Sequence, residues 1–255
     1  MAVDAARCPG GRVTTVFARA AQRQGAYDFL ENEAIAPRDV GDALFDAAAR
    51  SARAQDRVYV AVDGSSLTLT DGDKKKGFGH IGPISKGARG LKVMNALALR
   101  ADGVPLGLID QVWWVREQRA QCRGYRPANQ RESAHWRTVV SNVSRRLTCL
   151  APTTKAHFLF DREGDAALLL RSVAASGHGF TCRAKPNRKV LIDGRRCDVQ
   201  RLLRRRPVAT TRVNLPATSK RRARVARLDI WAAQFIVVMR DKCSRHLSRT
   251  GFTAW

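Results

Sequence analysis

The chain has 255 residues, with 46 Lys and Arg against 22 Asp and Glu, for a formal net charge of +24. Hydrophobic residues make up 44%, ordinary for a folded core, so an acidic disordered chain is excluded. Six scattered Cys without a C-x-x-C pair argue against a disulfide scaffold or zinc site, and the best apolar run, Ile230 to Met239, is too short for a membrane span.

In chain order, residues 13–24 and 37–50 are expected to be helical. In the second, Pro37 suits a first helical position, and Val40, Leu44, Phe45 and Ala48 form one apolar face. Arg57 to Val62 alternates and is β-branched, which predicts a buried strand stopping at Asp63-Gly64-Ser65-Ser66. Extended stretches at Leu91 to Leu99 and Val104 to Val115 flank Asp102-Gly103, a hairpin signal. After a polar stretch, Arg116 to Arg131, comes an amphipathic helix bearing Trp136, Val139, Val140, Val143, Leu147 and Leu150. Asn129 and Glu132 have capping-box spacing at its start. Ala156 to Phe160 is a short buried strand ending at Asp161. A helix from about Asp165 to Ser176 and a strand from Phe180 to Arg183 follow.

This order predicts an α/β fold. Helical connections give parallel pairs and the hairpin gives antiparallel ones, so the sheet is mixed, in an order periodicity does not fix. Two acids, Asp63 and Asp161, each close a hydrophobic strand. Ligands of α/β sheets gather at the carboxyl ends of strands, and paired carboxylates there suit Mg²⁺. Two ordinary loop-initiating aspartates are the alternative.

Charge is concentrated late in the chain: Arg183 to Trp255 holds 20 Lys or Arg against 4 Asp. Arg204-Arg205-Arg206 and Lys220-Arg221-Arg222 are dense enough to attract phosphates, pointing to nucleic acid. A solvated basic face, or the Arg usage of a GC-rich genome, is the alternative.

Four ordered segments carry a resemblance: Ala61-Val62-Asp63-Gly64-Ser65-Ser66-Leu67, Gly107 to Trp114, Glu132-Ser133-Ala134-His135-Trp136 and Asp161-Arg162-Glu163-Gly164-Asp165. With Gly25 to Asn32, they resemble the DDE transposases of bacterial insertion sequences, in the transposon-five-like branch of the insertion-sequence-four family. The resemblance implies a ribonuclease-H-like mixed sheet flanked by helices, with a partial β-rich insertion at the C-terminus. It implies residues 1–54 as a helical remnant of a DNA-binding region and linker, 55–187 as the catalytic core, and 188–255 as the basic, incomplete insertion with a divergent tail.

Metal-dependent cleavage and strand transfer at transposon ends follow from the same resemblance. Asp63 and Asp161 match the first two catalytic, metal-holding acids, with Mg²⁺ as cofactor and Mn²⁺ as a substitute. Arg162 and Arg183 match basic positions suited to DNA phosphates, while Arg204, Arg205, Arg206, Lys220, Arg221 and Arg222 are expected to bind DNA on their charge alone. Double-stranded transposon ends are the implied partner, with a homodimer in a synaptic complex. No membrane, no small-molecule cofactor and a cytoplasmic, nucleoid-associated location in a bacterium complete the expectation.

The sequence departs from the family pattern. Gly64 stands where Thr is usual, His135 where Lys is usual, and no Glu follows Glu163 to supply a third acid. A truncated or frameshifted copy, inactive but DNA-binding or inhibitory, is therefore the alternative. A chain cut mid-strand would leave apolar residues 228–239 unpaired.

Weaker signals point to structure. Gly77 to Gly82 matches G-x-G-x-x-G but lacks the strand and helix that motif needs, so a loop is expected, with Lys74 to Lys76 either solvated or near DNA. Trp113 and Trp114 should face opposite sides of a strand. The five His lack metal-ligand spacing, and the Cys are expected as small buried hydrophobes.

Overall fold

The computed structural model describes all residues except 1, 9, 72–74, 84–85, 117–131, 232, 241–246 and 255. Helices α1 (Ala2–Arg7), α2 (Val13–Val16), α3 (Ala20–Glu31) and α4 (Pro37–Ser51) come first. The expected 13–24 helix is thus two pieces. The chain extends at Phe17, which is buried, before α3 starts. In α4 the buried stripe is Phe45, Ala48 and Ala49, continued by Ala52. Val40 and Leu44 have the right period but remain about half exposed, because the stripe facing the sheet lies one step round the helix.

One six-stranded sheet organises the core. Its strands are β1 (Arg57–Thr68), β2 (Gly79–His80), β3 (Arg89–Leu99), β4 (Pro105–Trp114), β5 (Lys155–Phe160) and β6 (Gly179–Cys182). The order is β2-β3-β1-β5-β6, with β4 also on β3. β1 is antiparallel to β3 and parallel to β5, and β5 is parallel to β6. The result is a mixed sheet flanked by helices, as expected from the sequence.

β1 differs from expectation: it does not stop at Asp63 but runs five residues further, to Thr68. Gly64, Ser65 and Ser66 look like turn residues, yet they pair with Met94, Val93 and Lys92 of β3. The extension pairs on that side alone, since the β5 ladder ends at Val62–Phe160. Similarly, Gly79 and His80, expected in a loop, form a short strand against Gly90 and Arg89.

Helices α5 (Ser133–Leu150) and α6 (Ala167–Ala175) cover one sheet face with α4. Trp136, Val139, Val140, Val143 and Leu147 of α5 are buried against Val58, Val60, Val62, Phe158 and Phe160. Each such side chain contributes about 1.5–3 kcal/mol on leaving water. Glu132 occupies the α5 N-cap position without a side-chain capping bond, and Asn129 lies outside the described residues. Gly107 lets β4 approach α4: its φ is +130°, and a Cβ there would lie 3.2 Å from that of Ala48.

Beyond the core, β7 (Lys189–Ile192), β8 (Arg195–Asp198), β11 (Ala233–Arg240) and β12 (Leu247–Ala254) form a second sheet, while β9 (Ala209–Leu215) and β10 (Arg224–Ile230) form a separate ribbon. Residues 228–230 and 233–239 are therefore not left unpaired: β10 pairs with β9, and β11 pairs with β12 and β7. Val237 is buried in the main core cluster, joining this region to the rest. No described helix is long and apolar enough to cross a membrane.

Candidate active site

Asp63 and Asp161 come together through strand register. Val62 and Phe160 are the last partners of the parallel β1–β5 pair, so each acid is the next residue along its strand. Neighbouring strands lie about 4.8 Å apart, which sets the spacing of the two backbones. Alternation sets the face. Val58, Val60, Val62, Ala156, Phe158 and Phe160 point at the helices, whereas Tyr59, Ala61, Asp63, His157, Leu159 and Asp161 belong to the opposite face. Both carboxylates thus share the face that α4, α5 and α6 leave uncovered.

Their local settings differ. Asp161 caps a 3₁₀ turn at residues 162–164, its Oδ1 accepting from the Glu163 amide (2.8 Å) and the Gly164 amide (3.4 Å). Among the described residues nothing donates to its Oδ2. The turn is held close by Gly164, where a Cβ would meet the Phe160 Cβ at 2.6 Å and Trp136 at 3.3 Å. Asp63 is exposed and accepts no hydrogen bond from the described residues. Gly64 beside it is not required by space, since a Cβ there would reach Met94 only at an ordinary 3.6 Å.

Arg183 joins the row. Cys182 pairs with Phe160, and the Arg183 amide donates to the Phe160 carbonyl at 3.1 Å, so Arg183 lies level with Asp161. Asp63, Asp161 and Arg183 therefore end or cross three neighbouring strands at one level, with Arg162 in the turn beside them. The two basic clusters stand elsewhere. Arg205 pairs with Asp193 (2.8 Å), and Lys220 to Arg222 sit at the turn between β9 and β10, where Thr218 bridges Arg221.

Next to Asp63 lies a group that the sequence motifs did not bring together. Asn95 of β3 is its cross-strand partner. Gln111 Nε2 donates to Asn95 Oδ1 at 2.7 Å, and Trp113 Nε1 donates to Gln111 Oε1 at 2.8 Å. The three side chains form one chain across the same face. Its signal was present: Asn95 is the lone amide within the apolar stretch Leu91 to Leu99.

Trp113 and Trp114 do face opposite ways. Trp113 is 47% exposed, while Trp114 stacks on His135 with ring centroids 4.0 Å apart. Burial holds the His135 pKa below its ordinary value, against the pull of Glu132. Cations reach this corner from other elements: Arg116 grips Glu132 with bonds of 2.5 and 2.9 Å, and Lys92 adds a contact at 3.3 Å. The Arg116 bond keeps the Glu132 carboxyl below the usual range. The described Cys are less buried than expected. Cys149 is exposed and Cys8, Cys182 and Cys197 are half-buried, with the Cys182 thiol pushed up to about 12, mainly by desolvation.

Two carboxylates on one face suit a hard divalent cation, because Mg²⁺ is commonly held by one or two carboxylates together with water and phosphate oxygens. Among the described residues no group of three or more His, Cys, Asp or Glu gathers to hold a metal ion.

No protein-family model and no curated protein matches the chain. Among solved structures, it is similar to the Mos1 mariner paired end complex with Mn, at 11% identity and a TM-score of 0.30, over 70% of this chain and 56% of that one. It is also similar to a pre-cleavage Mos1 transpososome, at 9% identity and a TM-score of 0.27, over 72% of this chain and 58% of that one. The chain spans less than two thirds of the length of either.

Proposed function

We propose that this chain is a DDE-transposase-like protein that binds duplex DNA and cleaves its phosphodiester backbone with a divalent cation between Asp63 and Asp161. The single observation behind this reading is the carboxylate pair one residue past Val62 and Phe160, on neighbouring parallel strands and one face. The four ordered sequence motifs and the excess of cations support it as well.

Asp63 offers a carboxylate uncommitted to any described residue. Asp161 offers Oδ2, while its Oδ1 is fixed by the turn amides. When bound, Mg²⁺ or Mn²⁺ polarises a phosphate and activates a water or 3′ hydroxyl as nucleophile. Arg162, in the turn after Asp161, and Arg183, level with it just past β6, would hold phosphates flanking the scissile one, as guanidinium groups do well. Transposon ends in a synaptic homodimer are the substrate and assembly this reading implies.

A second reading is a DNA-binding copy that does not cut. It is favoured by the lack, among the described residues, of a third acid beside the pair. Incubation with supercoiled plasmid and Mg²⁺ or Mn²⁺ separates the two. Under the first reading, plasmid is nicked, and Asp63→Asn or Asp161→Asn abolishes nicking while DNA affinity stays. Binding without nicking by the unaltered chain supports the second, and absence of both overturns the DNA assignment.

A further inference from the structure

The β9–β10 ribbon stands apart from both larger sheets, its seven residue pairs formed between these two strands alone. Alternation divides it into two faces. Val213, Ala226, Leu228 and Ile230 share one, with Val213, Leu228 and Ile230 each 38–47% exposed. On the other face Arg212 lies directly opposite Arg227, next to the pairs Thr210–Asp229 and Asn214–Val225.

Like charges placed directly across a sheet are destabilising. Only part of that repulsion is relieved within the chain. Arg227 Nε donates to Asp229 Oδ1 at 3.0 Å, and the Thr210 hydroxyl donates to the same oxygen at 2.7 Å. Arg212 has no hydrogen bond or ion pair with the described residues. The cations continue along the ribbon, at the turn as Lys220, Arg221 and Arg222, and at the base. There Trp231 Nε1 donates to the Arg205 carbonyl at 2.8 Å, tying the strands to the run Arg204 to Arg206.

We infer that the β9–β10 ribbon enters the major groove of duplex DNA, with Arg212 and Arg227 directed at the groove and the turn cations on the backbone. This inference rests on the reading of the chain as a DNA-binding protein. Two strands about 4.8 Å apart fit a groove about 12 Å wide, which admits a two-stranded ribbon. Arginine, asparagine and threonine are the side chains that pair with base edges there. Single-stranded nucleic acid is disfavoured, because stacking on aromatic rings drives that mode and residues 209–230 contain none. The major groove of duplex RNA is too narrow for side-chain readout.

Fluorescence anisotropy of the full chain with a labelled mixed-sequence DNA duplex, across a salt series, tests the inference. Arg212→Gln/Arg227→Gln should weaken binding by about 10- to 100-fold with little change in salt slope, whereas Lys220→Gln/Arg221→Gln/Arg222→Gln should lower the slope by about three. Methyl green, a major-groove ligand, should compete, and netropsin, a minor-groove ligand, should not. Unchanged affinity in the double variant, with binding lost in Arg204→Gln/Arg205→Gln/Arg206→Gln, overturns the ribbon and leaves DNA binding intact. No duplex binding by the unaltered chain overturns the DNA reading itself. Tighter binding to phosphatidylserine vesicles than to duplex overturns the choice of partner. Arg212→Gln alone, which removes the repulsion without breaking a described bond, keeps the test valid should the double variant misfold. It should retain its melting temperature and still bind DNA more weakly.

Discussion

Asp63, within β1, and Asp161, just past the end of β5, each stand one residue beyond the pair Val62 and Phe160, on the same face of the sheet. They are nevertheless unequal: Asp161 caps a turn and Asp63 caps nothing. Removing either carboxylate should affect chemistry alike and stability differently. Asp161→Ala should cost about 1 kcal/mol, the usual worth of an N-terminal cap, and Asp161→Asn much less. Asp63→Ala should leave the urea midpoint unchanged. Equal destabilisation by the two alanine variants would contradict this difference.

Gly164→Ala should destabilise the chain by about 1–3 kcal/mol, the usual cost of overpacking. The new methyl would fall 2.6 Å from the Phe160 Cβ and close to Trp136, both within the core. Because the same turn carries Asp161 and Arg162, nicking should fall too. Thermal melting and the plasmid assay, run together, check this.

Burial raises the pKa of Asp110, outweighing the lowering by the hydrogen bond that Asn142 donates to Oδ2 at 3.1 Å. A raised carboxyl pKa means that the folded state holds its proton more tightly. Stability from this group is therefore complete below the unfolded pKa, near 3.8, and declines as pH rises through the folded value. Asp110→Asn should remove that decline, raising the melting temperature at pH 7 relative to the unaltered chain and not below pH 3.8. A parallel pH profile for the two proteins would show that Asp110 does not titrate as its burial requires.

The sequence exposed some of this architecture and hid the rest for physical reasons. The α5 apolar stripe and the β5 run carry enough periodic hydrophobic residues to be read directly, since one face of each is buried. The second half of β1 was hidden: all six residues from Asp63 to Thr68 are exposed, so no alternation marks them. Val40 and Leu44 misled in the other direction, because a helical period identifies a stripe without saying what covers it. Asp161 was legible as a strand-end residue, whereas Asp63, expected to end its strand, lies within β1. Their adjacency was not legible, because period-2 patterns carry no record of which strands pair. For the same reason Asn95 stood out only once β3 was seen beside β1.

Arg146 of α5 reaches back to α4, donating to Asp42 at 2.8 Å and also to Asp46. Its hydrogen bond is the largest influence on Asp42, whose pKa is lowered. A depressed carboxyl pKa adds stability above the unfolded value that is lost as pH falls through the folded one, so this contact should weaken below about pH 3.8. Arg146→Met removes the charge, together with the guanidinium that sits over the Phe45 ring, 5.4 Å from its centroid. It should destabilise the chain at pH 7 by about 1 kcal/mol, discounted because Asp42 is largely solvated, and by less in acid. Chemical denaturation at the two pH values reads the difference.

The pairing of Asp63 with Asp161 is tested most directly by titrating the protein with Mn²⁺ and following free ion by electron paramagnetic resonance. The account predicts binding that Asp63→Asn and Asp161→Asn each weaken by about tenfold or more, with no further loss in the double variant beyond that expected of one shared site. Equal Mn²⁺ affinity in the unaltered chain and both variants would contradict it.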